Sequence, residues 1–442
     1  MSFRSRLASV VLAIAYTLMF YRCYVSFLFG EFEYVGYDLF RREPVFLAES
    51  VAIAVMPVLC YRGMRATSSA IAVLIYLVLY VPIIVTFTLG SSKGVDEIRL
   101  VQLTFMVSMS VIFLADTLIV RNPLRLDIGV DLMPLIWLLT ALSTVYLLFV
   151  YRGKMSFASF GDDLYLQRDA NAALGAGLLT AYLSAWLSTV LVPLCLAHGL
   201  TARKHRFTIN GMVACLVLYM AAANKLAILI PFVYVAFFLL FRRHLTAILP
   251  VMTAVFVVIV AGMLSIAGLG QTALVTAAII LNRTLGNGGQ LTVAYYDYFA
   301  FYARTGYSHV HGLGLLTQPY PYGDLILGQV VGQFYWSPFM NANANFWATD
   351  GLAAVGLPGV AIISVALALL LVVMNSVTRG YDQLFAVLCF LPFVSTLLNQ
   401  SLFSGIWSGG AFILLLFFAF NRRAQDPPTS PRVATAGGIM FD

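Results

Sequence analysis

Charge is scarce in this chain. Only 10% of its 442 residues are Asp, Glu, Lys or Arg, where soluble globular chains carry about 25%. That scarcity excludes a soluble globular protein. Cysteine is scarce as well. The five, Cys23, Cys60, Cys195, Cys215 and Cys389, show no CxxC or other metal-ligand spacing, so neither a disulfide framework nor a zinc site is expected, and the thiols read as small packing residues. No nucleotide motif and no internal repeat is visible. No small-residue cleavage pattern follows the first apolar run, so no cleavable signal peptide is expected.

What the chain has instead is apolar length. Hydrophobic residues make up 61%, and the mean hydropathy is +0.91. Many runs reach the ~20 residues that cross a bilayer as a helix. The runs are continuous rather than alternating, which excludes a β-barrel. The expectation is an all-α polytopic integral membrane protein of about 12 transmembrane helices, at 7–29, 46–61, 69–90, 100–120, 131–151, 174–198, 208–224, 226–241, 246–268, 351–375, 383–399 and 404–421. Helices 1–9 fall in 1–268, a large partly helical periplasmic loop in 269–350, helices 10–12 in 351–421, and a disordered cytoplasmic tail in 422–442.

Basic residues set the orientation. With the N-terminus inside, the inner segments hold 15 basic residues against 5 acids, and the outer segments 10 against 12. Both termini are then cytoplasmic. The overall charge of +7 is a topology signal, and nucleic acid is not an expected partner; membrane lipids are.

The loop from about Gly268 to Asp350 is far longer than an ordinary connection and too aromatic to be disordered. Its half-apolar stretches suit short amphipathic helices lying at the membrane surface or re-entering it. Chemistry is therefore expected on the outer face. Arg283 precedes Leu-Gly-Asn-Gly-Gly, where a cationic fork beside flexible glycines suits a diphosphate; snorkelling to headgroups is the plain alternative. Arg304 closes LTVAYYDYFAFYAR. Asp297, seven residues earlier, shares its face if the helix continues, and Tyr296 and its aromatic neighbours suit sugar rings. His309 and His311 form an HxH pair, a weak signal by itself.

Lys225 lies between two apolar stretches, where an ionisable residue is a functional hypothesis. Arg168, in FGDDLYLQRD, reads first as a member of a solvated ion-pair cluster. Arg22, Glu49 and Asp116 are in or near spans, where pairing with one another is expected. In NANANFWATD, an extended chain points Asn341, Asn343 and Asn345 one way, and carboxamides suit sugar hydroxyls. Asp350 then stands near the start of the next helix, as a cap or as an acid with a role in chemistry.

The stretch NANANFWATDGLAAVGLPGVAIIS resembles the segment after the large periplasmic loop of bacterial oligosaccharide repeat-unit polymerases (O-antigen polymerases, Wzy type). ANKLAILIP is similar to that family's lysine-containing segment, and FGDDLYLQRD to its aromatic-acidic motif. The Rx10G pattern described for some members is not met: Gly314 falls one position short of that spacing from Arg304, and Arg283 has Ala294 where glycine would stand.

The resemblance implies a glycosyltransferase of the bacterial inner membrane, and the lack of a metal-binding cluster in the sequence makes metal independence the expectation. The enzyme would join undecaprenyl-diphosphate-linked oligosaccharide units of a surface polysaccharide on the periplasmic face, without a cofactor. A chain-length-determining co-polymerase stands as an open partner. In that setting cations neutralise the departing diphosphate, in the order Arg283, Arg304, Lys225, Arg168. Asp350 and Asp297 are the candidate acids, and the asparagines and Tyr296 orient sugars. An O-antigen ligase, a lipid-linked oligosaccharide transporter and a non-catalytic scaffold remain as alternatives.

Overall fold

The computed structural model describes residues 3–118, 130–155, 177–222, 225–310, 314 and 317–421. Among these residues the chain is all helical, with no strand. Seven helices are long and apolar enough to cross a membrane: α1 (Ser5–Val35), α3 (Thr67–Gly90), α4 (Val95–Leu114), α5 (Met133–Val150), α6 (Gly177–Thr201), α9 (Leu245–Ala267) and α12 (Leu357–Thr378). Pro44–Cys60 (α2), Gln383–Asn399 (α13) and Ala411–Phe420 (α15) are apolar but shorter. So is most of α8 (Lys225–Phe241). His205–Ala222 (α7) completes the set.

A helix therefore lies on each of the twelve apolar stretches, but seven among the described residues have the length and apolarity of a full span. The shortfalls have local causes. The second stretch tightens into a 3-10 turn at Met56–Cys60, with Pro57 near its start. The last stretch is broken: a short helix, α14 (Leu402–Ile406), ends at Trp407, and α15 begins only at Ala411. Ser408, Gly409 and Gly410 fall at that break, where a polar group and missing side chains favour a turn over a continuous helix.

Helix α3 is the hub. It is apolar all round, as a helix enclosed on every side must be, and 89% of its most apolar window is buried. It packs against α1, α2, α4, α9, α12 and α13.

The stretch between α9 and α12 holds a longer helix than the short ones expected there. Residues 271–301 form one continuous helix, α10, with a π turn at Asn282–Gly286. Its second half packs along the Val81–Gly90 half of α3, with Leu291, Val293, Ala294 and Tyr295 buried. This part of α10 is inside the bundle rather than flat on its surface. Tyr295 anchors it further by donating to the carbonyl of Ala342, at 3.1 Å. Leu327–Tyr335 (α11) follows.

Candidate functional site

The site grows from the segment that precedes α12. Residues 341–344 lie outside any helix and alternate, with Asn341 and Asn343 exposed and Ala342 and Ala344 buried. The alternation stops at Asn345, which is fully buried. Its Oδ1 accepts from the backbone N–H groups of Trp347 and Ala348, at 3.0 and 3.2 Å. Its Nδ2 donates to Thr292 Oγ1 at 2.8 Å. Asn345 thus caps a π turn, Trp347–Leu352, and ties it to α10. Of the three asparagines, two keep exposed carboxamides and one is spent on structure. Asn343 lines a cleft; Asn341 and Asn343 both lie over Gly328 of α11.

Asp350 stands inside that π turn, fully buried. It does not cap α12. Its Oδ2 accepts from the backbone N–H of Leu402, at 2.6 Å, and so holds the first turn of α14. Its Oδ1 lies 3.1 Å from His309 Nε2. His309 Nδ1 lies 2.8 Å from Thr305 Oγ1. With Nε2–H donating to the carboxylate, Nδ1 accepts the Thr305 hydroxyl proton. Both ring nitrogens and both carboxylate oxygens are engaged within the protein. The residues form a lock between segment 305–309, the π turn and α14. His309 joins this lock from a motif that sequence reasoning set aside; His311 lies outside the described residues. Tyr307 packs near the lock. Burial, and then the Asp350 charge, raise its phenol pKa above the ordinary value.

A cleft of about 770 Å3 opens beside the lock, its lining mixed, with Leu325, Ile326 and Phe403 among the polar groups. Its wall includes Asn343, Asn399, Gln400, Ser401, Asp324 and Trp407. The indole of Trp407 is 64% exposed, so an aromatic face sits among carboxamides and hydroxyls. Asn399, Gln400 and Ser401, at the join of the last two expected spans, and Trp407, inside the last, were missed by sequence reasoning. The signal was present as LNQSLFSGIWSGG, polar residues recurring within an apolar run.

Arg304 faces a second cleft, of about 610 Å3. Leu100, Phe299, Ala300, Leu352, Leu357 and Ala361 make it largely apolar. The guanidinium is held by carbonyl oxygens, Nε–H to Phe299 at 3.4 Å and Nη1–H to Val355 at 3.1 Å. No acid within 4.0 Å neutralises it among the described residues, and no hydrogen bond there uses Nη2. Gly356 makes this placement possible. Its φ is +87°, and a Cβ there would come within 2.8 Å of Arg304 Cζ. Segment 304–309 touches both clefts, through Arg304 on one and Ser308 and His309 on the other.

Asp297 and Arg304 do not share a helix face, because α10 ends at Phe301. Asp297 pairs with Lys93 at 3.4 Å. Burial raises its carboxyl above the ordinary range, and Lys93 opposes the shift. Tyr296 lines the Arg304 cleft and donates to Glu97 at 2.8 Å. Glu49 pairs with Arg99, at 2.6 and 2.9 Å, rather than with Arg22.

Arg283 is exposed in the π turn of α10. Eighteen residues of helix separate it from Phe301, about 27 Å at ~1.5 Å per residue. Arg283 and Arg304 therefore cannot clasp one diphosphate. The glycines after Arg283 are not a flexible cradle either. A Cβ on Gly289 would lie 2.4 Å from Thr86 Oγ1 and 2.8 Å from the Pro82 carbonyl oxygen. They let α10 approach α3 closely, a use of small residues common between membrane helices. Gly289→Leu is expected to destabilise the fold by at least about 1–3 kcal/mol, read as a lower thermal unfolding midpoint. An unchanged midpoint would remove this contact from the account.

Lys225 is the first residue of α8; its side chain lies outside the described set. Arg168 lies outside the described residues altogether. Among the described residues no group of three or more His, Cys, Asp or Glu is placed to hold a metal ion. Compared with known proteins, the chain matches no family model, no curated protein and no solved structure.

Proposed function

We propose that this membrane protein is a glycosyltransferase. It polymerises oligosaccharide units carried on undecaprenyl diphosphate, at the outer face of the bacterial inner membrane, with twelve spans and both termini cytoplasmic. The observation that carries this reading is Arg304. It is a guanidinium without an acid partner among the described residues, fixed by backbone carbonyls above an apolar groove, four residues from a cleft where carboxamides, hydroxyls and an exposed indole stand among apolar side chains. A lipid-linked sugar diphosphate has those three parts: an apolar tail, a dianionic bridge and a polyhydroxyl head. The sequence resemblance to repeat-unit polymerases points the same way.

The chemistry follows from this placement. An acceptor hydroxyl attacks the anomeric carbon of the donor sugar. The bond from that carbon to the diphosphate breaks, and its electron pair leaves with undecaprenyl diphosphate. Arg304 stabilises the charge that develops there; preorganised donors aimed at developing charge are among the strongest catalytic devices. The hydroxyl proton needs a carboxylate within reach. Asp350 has no free oxygen. Asp324 is exposed and lines the cleft beside the lock, so it is the assigned base. Asn343 and Trp407 hold the acceptor sugar.

The direct test is the full chain in lipid vesicles with one undecaprenyl-diphosphate repeat unit, resolved on a gel. A ladder spaced by one unit is expected. Labelled substrate crossing the vesicle wall without a ladder would make the protein a transporter instead. Trp407→Ala is expected to raise the acceptor KM about 3- to 10-fold at unchanged kcat, as stacked aromatics contribute about 0.5–1.5 kcal/mol. A fall in kcat alone would place Trp407 outside the acceptor site.

A further inference from the structure

At the far end of α12 from Arg304, a separate cleft of about 300 Å3 lies where α3 and α13 begin and α4 and α12 end. Arg65, Asp116, Asn375, Thr378, Arg379 and Gln383 line it. Asp116 is 7% exposed. Its Oδ2 accepts the Ser69 hydroxyl proton at 3.1 Å. Ser69 Oγ in turn accepts from the N–H groups of Arg65 and Ala66, at 3.3 and 3.4 Å, so this oxygen of Asp116 completes the cap of α3. The other oxygen, Oδ1, is buried with no hydrogen-bond partner among the described residues. Arg65 and Arg379 line the same cleft and are exposed, yet neither comes within 4.0 Å of the carboxylate.

A buried carboxylate oxygen left unpaired costs free energy. Two arginines on the rim leave the cleft short of a negative group and Oδ1 short of a donor. One ligand supplies both. We infer that this cleft binds the headgroup of a phospholipid that carries a primary ammonium next to its phosphate. The ammonium N–H donates to Asp116 Oδ1, and the phosphate oxygens accept from the Arg65 and Arg379 forks, whose geometry suits phosphate. The ends of four apolar helices place the cleft at headgroup depth. A quaternary ammonium has no N–H to donate, and a glycerol headgroup has no cation, so the site discriminates between headgroups. It is independent of the chemistry proposed at the other end of the bundle.

The test reconstitutes the full chain with phosphatidylcholine bilayers containing added phosphatidylethanolamine or phosphatidylglycerol, and reads retained lipid by native mass spectrometry. Phosphatidylethanolamine is expected to be retained about tenfold more tightly than the other two. Asp116→Asn, whose carboxamide oxygen still accepts from Ser69, is expected to erase that preference. Equal retention of the three lipids, or a preference that survives in Asp116→Asn, overturns the assignment. Should that variant not fold, Arg379→Gln at the exposed rim serves in its place; unchanged phosphatidylethanolamine retention there overturns the phosphate contact. Soluble phosphoethanolamine is the remaining arm. Binding as tight as the lipid's would assign the cleft to a soluble compound and overturn the lipid claim.

Discussion

Arg304→Gln is expected to lower ladder formation at least about 100-fold, the scale on which removing one preorganised charge-stabilising donor acts, while helix content and thermal midpoint stay near those of the parent. A structural arginine of this kind would have a carboxylate to satisfy it. Among the described residues Arg304 has only the carbonyls of Phe299 and Val355, with Nη2 left over. Two carbonyl bonds fix the direction of the fork without quenching its charge. Arg304→Lys is expected to recover part of the activity. An ammonium restores the charge but cannot hold the carbonyls and a phosphate in one plane. Gel densitometry of initial rates checks both variants. Arg304→Gln polymerising at the parent rate would take this residue out of the chemistry.

Asp350→Ala is expected to cost about 3–5 kcal/mol of stability, the range for deleting one partner of a buried charge-assisted pair. It orphans two groups together: His309 Nε2–H and the Leu402 N–H. The thermal midpoint should fall accordingly. The informative variant is Asp350→Asn, which keeps the size and can still accept from Leu402. Its activity per folded molecule is expected to stay within about tenfold of the parent at a permissive temperature, because a sealed carboxylate never meets substrate. A general base would lose at least about 100-fold. An orders-of-magnitude loss at unchanged stability would make the Asp350 carboxylate chemical after all. Asp324→Asn is the counterpart: that group is exposed in the cleft beside the lock and carries none of the lock's hydrogen bonds.

These two residues show how far a sequence can be read here. Both were singled out by neighbours alone, and their environments separated them. Arg304 looked like the partner of Asp297 because seven residues make two turns of a helix; α10 stops at Phe301 and sends Arg304 to the groove while Asp297 turns to Lys93. Arg283 ranked ahead of Arg304 because glycines follow it. Those glycines are a helix-crossing device, and the distance between the arginines is set by the stretch of α10 from Arg283 to Phe301. Asn345 looked like its two neighbours until the π turn drew it inside as a cap.

The sequence by itself determined the solvent and the building material. Scarce charge and long apolar runs leave a backbone in lipid no route to satisfaction except helices, and a helix stands on every apolar run. It also marked the segment that matters, since polar residues crowded before an apolar helix need partners that the helix cannot supply. Which of those residues is spent on structure and which is left free was decided only by tertiary structure. Burial and partnership are properties of contacts between distant segments: His309 meets Asp350 across 41 residues, and Asp350 meets Leu402 across 52. Period and spacing describe neighbours along one helix. They hold no term for the close approach of α10 to α3, or for the left-handed turn at Gly356 that lets an arginine lie open above a groove.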